Sequence, residues 1–364
     1  MVVGGGFILA FVFGAVANKT NFCTMGAVSD VVNMGSWGRM RMWLLAIAVA
    51  ILGAHGLQLA GLVDLSKSIY VRPGVTWLSY ALGGFLFGVG MTLGSGCGSK
   101  TLVRLGGGSL KSLVVLICLG IAAYMTLKGL FAVWRTQWLD PVTLDLAQRG
   151  VPHQDLPAIV AAWTGASPAA CEAAVALVAA AALLAFVFKD RDFRASFDHI
   201  LGGTVVGLVV AGGWYVTGHL GYGESPETLE TVFFATNSHT IESLSFVAPV
   251  AYSLELLMLW TDKSLGLTFG IASVAGIVLG SLAYGLASRT FRWEGLAGAE
   301  DTANHVIGGL LMGFGGVTAL GCTIGQGITG FSTLAIGSIL TFVSIVAGSA
   351  LTMKYQYWRL MREA

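Results

Sequence analysis

Three of the five cysteines in the chain share one frame. Cys23, Cys97 and Cys322 each lie nine residues after a glycine, namely Gly14, Gly88 and Gly313. A thiol can donate a weak hydrogen bond, ionise to a nucleophile or ligate a soft metal. The spacing narrows these options. No CxxC pair occurs among Cys23, Cys97, Cys118, Cys171 and Cys322, so neither a zinc site nor a disulfide framework is indicated. Cys118 lies inside a smooth apolar run and Cys171 has no counterpart in the frame; both read as small buried hydrophobes.

The frame belongs to a repeated phrase. One copy reads Gly83-Gly84 through Gly88 and Gly90 to Gly94-Ser95-Gly96-Cys97-Gly98-Ser99-Lys100-Thr101. A second runs from Gly308-Gly309 to Gly321-Cys322-Thr323, and a third from Gly14 to Asn18-Lys19-Thr20-Asn21-Phe22-Cys23-Thr24. A fourth, Gly202-Gly203 through Gly207, carries Val216 where the others carry cysteine. Repeats dictate architecture. Each glycine-rich stretch is expected to end one helix, with a second short helix starting just after the cysteine. The first N–H groups of a helix are unpaired and its N-terminal end is positive, a setting suited to anions. Irregular backbone at membrane depth is tolerated where it lines a cavity or is buried in protein.

Each thiol is therefore expected beside a polar passage. The flanking candidates are Asn21 and Thr24, then Ser95, Ser99 and Thr101, then Thr323 and Gln326. Lys19 and Lys100 adjoin breaks and join the candidate set, because a cation inside a membrane is costly and marks function; the competing reading is snorkelling to an interface. Gly94–Thr101 resembles a phosphate-binding loop, but no glycine precedes Lys100 and a membrane helix stands where a strand is required, so ATP binding is excluded. His219, His239 and His305 have no metal-ligand spacing, and no cofactor is expected.

The elements that hold these residues are membrane helices. Hydrophobic residues make up 55% of the 364 and charged ones 11%, against about 25% in soluble domains, and mean hydropathy is +0.78. Apolar runs of bilayer length recur throughout. The pattern predicts an all-α integral membrane protein of about nine transmembrane helices plus short re-entrant ones. Spans are expected near 3–17, 43–61, 75–94, 112–133, 170–188, 197–218, 265–287, 303–320 and 333–353. The apolar segment 243–262 contains Pro249 and Glu255 and is read as re-entrant; 156–163 is read as a surface helix. The N-terminal run lacks the basic start of a cleaved signal and is read as a working helix.

Cytoplasmic loops carry excess Lys and Arg. Placing 39–41, 189–194, 289–292 and the tail with Lys354, Arg359 and Arg362 inside leaves the long loop 134–169 and the acidic stretch Glu224, Glu227, Glu230 and Glu242 outside. That scheme needs nine crossings, a periplasmic N-terminus and a cytoplasmic C-terminus. The chain is then one transport domain, 1–364, whose halves, about 1–190 and 195–364, run with inverted topology, as in many secondary transporters.

The Cys97 phrase continues Leu102-Val103-Arg104-Leu105-Gly106-Gly107-Gly108-Ser109-Leu110-Lys111. Together with Asn21-Phe22-Cys23-Thr24-Met25-Gly26 and Gly321-Cys322-Thr323-Ile324-Gly325-Gln326-Gly327, it resembles the YeeE/YedE sulphur-transport family over essentially the whole chain. The resemblance implies a bacterial inner-membrane importer of thiosulfate with nine membrane helices, whose three essential cysteines match Cys23, Cys97 and Cys322. It also implies work with a small cytosolic sulfur-carrier protein of the TusA type, and some members are linked instead to selenium compounds. The lipid bilayer is the other partner; net charge +1 gives no sign of nucleic acid.

The residues suit that cargo. Thiosulfate is a dianion with one soft terminal sulfur, which a thiol can meet with a weak S–H donor. Weak binding at successive points permits passage, because an ion must leave as well as enter. The expected function is uptake of thiosulfate or a related sulfur oxyanion by a three-thiol hydrogen-bond relay, without enzymatic turnover. A selenium-compound transporter and a membrane thiol oxidoreductase are the alternatives. The second would need an activated thiolate and a nearby acceptor thiol.

Overall fold

The structure is a computed structural model that describes residues 1–224 and 229–363. Glu227 of the acidic stretch and Ala364 lie outside the described residues. In chain order the helices are α1 (Val2–Lys19), α2 (Thr24–Ser29), α3 (Gly38–Leu59), α4 (Trp77–Leu93), α5 (Gly98–Gly106), α6 (Leu110–Lys128), α7 (Leu130–Trp134), α8 (Leu156–Thr164), α9 (Pro168–Phe188), α10 (Arg191–Ala195), α11 (Phe197–Tyr215), α12 (Ala248–Met258), α13 (Phe269–Ala287), α14 (Ala299–Thr318) and α15 (Ile336–Glu363). Two small antiparallel pairings, Gly74–Val75 with Leu144–Asp145 and Tyr222–Glu224 with Thr231–Phe233, ornament the loops.

This is a multi-pass membrane protein. Among the described residues, eight helical segments are long and apolar enough to cross a bilayer: Val2–Met34, Gly38–Leu59, Trp77–Gly106, Leu110–Lys128, Pro168–Phe188, Phe197–Leu220, Phe269–Ala287 and Ile336–Arg362. The ninth expected span, near 303–320, forms as α14 but does not join this group. Its first two turns carry Glu300, Asp301, Thr302, Asn304 and His305 and dilute its hydropathy, although its 20 residues span about 30 Å. Helix α12, within 243–262, has 11 residues and is about 16 Å long, too short to cross. The segment expected to lie on the surface is helical as α8. The basic tail continues α15 instead of leaving it.

Small residues set the packing. Helix α1 packs along α13, α4 along α15, α11 along α3, and α14 along both α6 and α4. At the heart of four pairings stands a glycine from the repeated phrase. A methyl group on Gly14, Gly88, Gly207 or Gly313 would collide with the carbonyl oxygen of Ile277, Ile345, Ala46 or Leu119, respectively. Without a hydrophobic drive between helices in lipid, this close approach is what makes them associate. Aromatic rings continue the core from Phe246 through Phe13, Phe22 and Trp43 to Phe342, with centroid separations of 5.3–6.4 Å.

Contacts sort the connecting segments into two faces. On one, Ser68 bridges Ile241, Lys67 Nζ donates to Tyr222 at 3.0 Å, and Val2 lies against Gly221. On the other, Arg41 pairs with Asp190, Lys19 with Asp198, Lys111 with Asp301, and Arg359 with Glu300. The N-terminus of α1 belongs to the first face and the C-terminal turns of α15 to the second.

Candidate functional site

Helices α1, α4 and α14 end in the same way. Two residues before each thiol, Asn21, Ser95 and Leu320 adopt left-handed backbone, with φ of 53°, 55° and 59°. The next N–H then reaches back five residues: Phe22 to the Ala17 carbonyl at 3.1 Å, Gly96 to Met91 at 2.9 Å and Gly321 to Gly316 at 2.7 Å. This is the Schellman stop, which satisfies carbonyls left open at a helix end. Asn tolerates the conformation; for Ser, and more so for Leu, it is uncommon. The fourth copy differs. Helix α11 passes straight into a wide turn, Val216–Leu220, so no break forms at the position equivalent to cysteine.

All three thiols are buried. Cys23 caps α2, its Sγ accepting the Gly26 N–H at 3.3 Å. Cys97 precedes α5, and its Sγ contacts Ser99 Oγ at 3.3 Å. Cys322 Sγ accepts the Gly325 N–H at 3.3 Å. The expected short helix after the cysteine is present at Cys23 and Cys97. At Cys322 it is replaced by a wide turn over Gly325–Gly330, where Thr329 N–H reaches back five residues to the Ile324 carbonyl at 2.9 Å. Cys97 is the common electrostatic neighbour of Cys23 and Cys322. Cys97 thus lies near both of the other thiols. Cys118 is partly buried beneath Gly309, and Cys171 is buried near Thr164, both apart from this group.

The expected polar residues divide into those gathered here and those left outside. Thr101 Oγ1 is spent on the Cys97 carbonyl at 2.8 Å. Thr24 and Thr323, each next in sequence to a thiol, are buried, and their hydroxyls find no partner among the described residues. Gln326 is likewise buried; its amide donates to the Ala319 carbonyl at 2.6 Å while its Oε1 is unpartnered. Ser95 presents its carbonyl to Arg104 Nη1 at 2.9 Å. Lys100 Nζ donates to Asn21 Oδ1 at 2.6 Å and is a charged neighbour of Cys23 and Cys97. Lys19 is not brought to the thiols; it is exposed, 3.9 Å from Asp198.

Several residues at the site escaped sequence reasoning. Trp43 stacks between Phe22 and Phe342, and its buried indole N–H finds no partner among the described residues. Arg39, paired with Asp30, is a second charged neighbour of Cys23. The segment Ser243–Val247 also reaches the thiols. The Phe246 backbone lies against Cys322, and its carbonyl lies beside Gly98. No spacing in the sequence ties 243–247 to the phrase. A cavity of about 160 Å³ opens over this segment, with Leu320 and Gly321 in its wall. On the opposite face a recess is lined by Lys100, Arg104 and Arg292. No cluster of metal-ligating side chains occurs among the described residues. His55, which the pattern does not place, pairs with Glu172 at 3.0 Å away from the thiols.

A family described as sulphur transport matches residues 19–351. The thiosulfate transporter TsuA of Escherichia coli K12 is 25% identical over 378 residues, covering 99% of this chain and 96% of its own. The thiosulfate transporter TsuA of Spirochaeta thermophila is 24% identical over 353 residues, covering 94% and 96%. With a match spanning nearly its whole length, the chain belongs to the sulphur transport family.

Proposed function

We propose that this protein imports thiosulfate across the inner membrane through a passage lined by Cys23, Cys97 and Cys322. The observation that carries the reading is the pair Thr24 and Thr323. Each hydroxyl follows a thiol, each is buried, and each lacks a partner among the described residues. A buried polar group left unpaired costs about 1–3 kcal/mol, so these hydroxyls suit a passing oxyanion. The relatives, named as thiosulfate transporters, support the same cargo.

The cargo enters from the cavity above Leu320–Gly321, meets Cys322, then Cys97, then Cys23, and leaves toward the recess with Lys100 and Arg104. Each thiol offers a weak S–H donor to the terminal sulfur, while backbone N–H groups and hydroxyls hold the oxygens. Lys100 and Arg39 draw the dianion toward the exit. The aromatic chain through Trp43 excludes water and keeps these weak contacts effective.

The swapped helix pairing favours inverted repeats. The glycine-phrase helix of one copy packs on the helix that follows another: α1 on α13 and α11 on α3, α4 on α15 and α14 on α6. In this scheme α14 crosses as a ninth span, α12 is re-entrant, and the face with Lys67 and Tyr222 is periplasmic. A cytosolic carrier of the TusA type takes the product at the basic face.

Thiosulfate labelled on both sulfurs tests the relay. Both labels should appear joined inside liposomes containing the purified chain. Recovery of one sulfur alone, or of a sulfur adduct on any of the three cysteines, would sink the relay and favour thiol-transfer chemistry.

A further inference from the structure

The cavity above Cys322 holds a carboxyl that a dianion carrier has no evident reason to place there. Glu242 lies in its wall, outside the membrane-spanning helices, with Tyr70, Arg135, Tyr252, Leu320 and Gly321 around the same space. Its carboxylate accepts the Asn237 N–H at 3.3 Å and the Ser238 hydroxyl at 3.1 Å, both neutral donors. Its backbone is tied to the end of α11, the Glu242 N–H donating to Thr217 Oγ1 at 3.3 Å and its carbonyl accepting from the same hydroxyl. The carboxyl is therefore held at the cavity. Arg135, the cation in the wall, is turned to Asp140 at 3.6 Å. Tyr70 has both Cys322 and Glu242 as electrostatic neighbours, which places Glu242 on the approach to the first thiol. The ionisable groups around it are Tyr70 from the turn 69–71, Tyr252 from α12, Arg135 from the turn 135–139 and His239 in its own loop.

We propose that Glu242 is a proton-binding site of this cavity, and that a dianionic sulfur oxyanion binding there takes up one proton with it. The inference rests on the reading of the chain as a thiosulfate carrier. An ionised carboxylate repels a dianion at close range in a water-poor cavity. A neutral carboxyl removes that repulsion and adds an O–H donor. Burial pushes Glu242 up to about 7, so both forms are populated at neutral pH. If the protonated form binds the anion better, the anion must in turn favour protonation. The balance is simple: a proton leaves bulk water, an O–H bond forms on Glu242, and the charge brought into the cavity is −1 instead of −2. Below about pH 7 the carboxyl is already neutral and little proton is taken up. As pH rises through about 7 the proton must be recruited, and affinity falls by up to tenfold per pH unit.

Calorimetric titration of the purified full chain with thiosulfate, in buffers of different ionisation enthalpy, reads the proton directly. The wild-type protein should take up a fraction of one proton per anion at about pH 7, rising toward one at about pH 8. Glu242→Gln should bind with no buffer dependence and a flat pH profile. Buffer-independent binding by the wild type, or proton uptake that survives in Glu242→Gln, would overturn the proposal. Infrared titration separates the two layers. A carboxyl band that is lost in Glu242→Gln and shifted in Glu242→Asp should disappear near pH 7. If that band titrates at the ordinary carboxylate value, the proton site is wrong whatever the cargo. If it titrates near 7 and thiosulfate gives no binding heat, the cargo reading fails and takes the linkage with it.

Discussion

The Lys100 ammonium donates to the Asn21 side-chain carbonyl at 2.6 Å, tying the turn before Cys23 to the helix after Cys97. One contact thus joins two copies of the phrase on the basic side of the thiols. It also holds the positive charge where Cys23 and Cys97 both feel it. Charge-assisted hydrogen bonds contribute about 1.5–3 kcal/mol. Lys100→Met should therefore slow uptake by roughly tenfold or more, with Lys100→Arg retaining part of it. Initial rates of labelled thiosulfate uptake check this; an unchanged rate in Lys100→Met would remove Lys100 from the passage.

The thiols should be needed individually. Cys23→Ala, Cys97→Ala and Cys322→Ala are each expected to abolish growth on limiting thiosulfate while the protein still reaches the membrane. Cys118→Ala, outside the frame and beneath Gly309, should be nearly silent. Serine replacements should not rescue, because a smaller, harder hydroxyl matches sulfur poorly. Normal growth of the Cys97→Ala strain refutes the shared role.

Gly88 should tolerate no side chain. A methyl group there would strike the Ile345 carbonyl and the Ser349 N–H of α15. Overpacking of this kind costs about 1–3 kcal/mol, and backbone atoms cannot step aside as a side chain can. Gly88→Ala should lower the unfolding temperature in detergent, and Gly88→Val should prevent recovery of folded protein. Gly4, with open space around it, is the control: Gly4→Ala should be silent. Equal melting of both alanine variants would show that the close approach does not carry the packing.

The two faces should be separated by the membrane. A cysteine introduced at exposed Trp163 should react with an impermeant thiol reagent added to intact cells, and one at exposed Lys354 should not. A reporter fused after the last residue of α15 should be active only in the cytoplasm. The opposite pattern would invert the orientation drawn from charge, and labelling of both positions from outside would break the odd number of crossings.

Much of this arrangement can be read from the order of residues alone. The cysteine register, the glycine frame and the place of every long helix were legible, because each rests on local chemistry: apolar length, missing side chains, positive flanks; the end of α15 was not, since the basic tail continues the helix to Glu363. Helix α14 forms where the phrase predicts it even though its polar first turns weaken its hydropathy. Tertiary structure decided what depends on distant segments meeting. It sent Lys19 outward to Asp198 and Lys100 inward to Asn21, although both adjoin breaks in the same phrase. It stopped three helices with the same left-handed turn and let α11 continue, a difference no residue at 214 announces by type. It brought Ser243–Val247 to Cys322 and set Glu242 in the wall of the cavity that Leu320 and Gly321 also line. Such partners share neither period nor spacing with the phrase. Their position follows from how paired helices close on one another in three dimensions, where a glycine facing a carbonyl sets the distance.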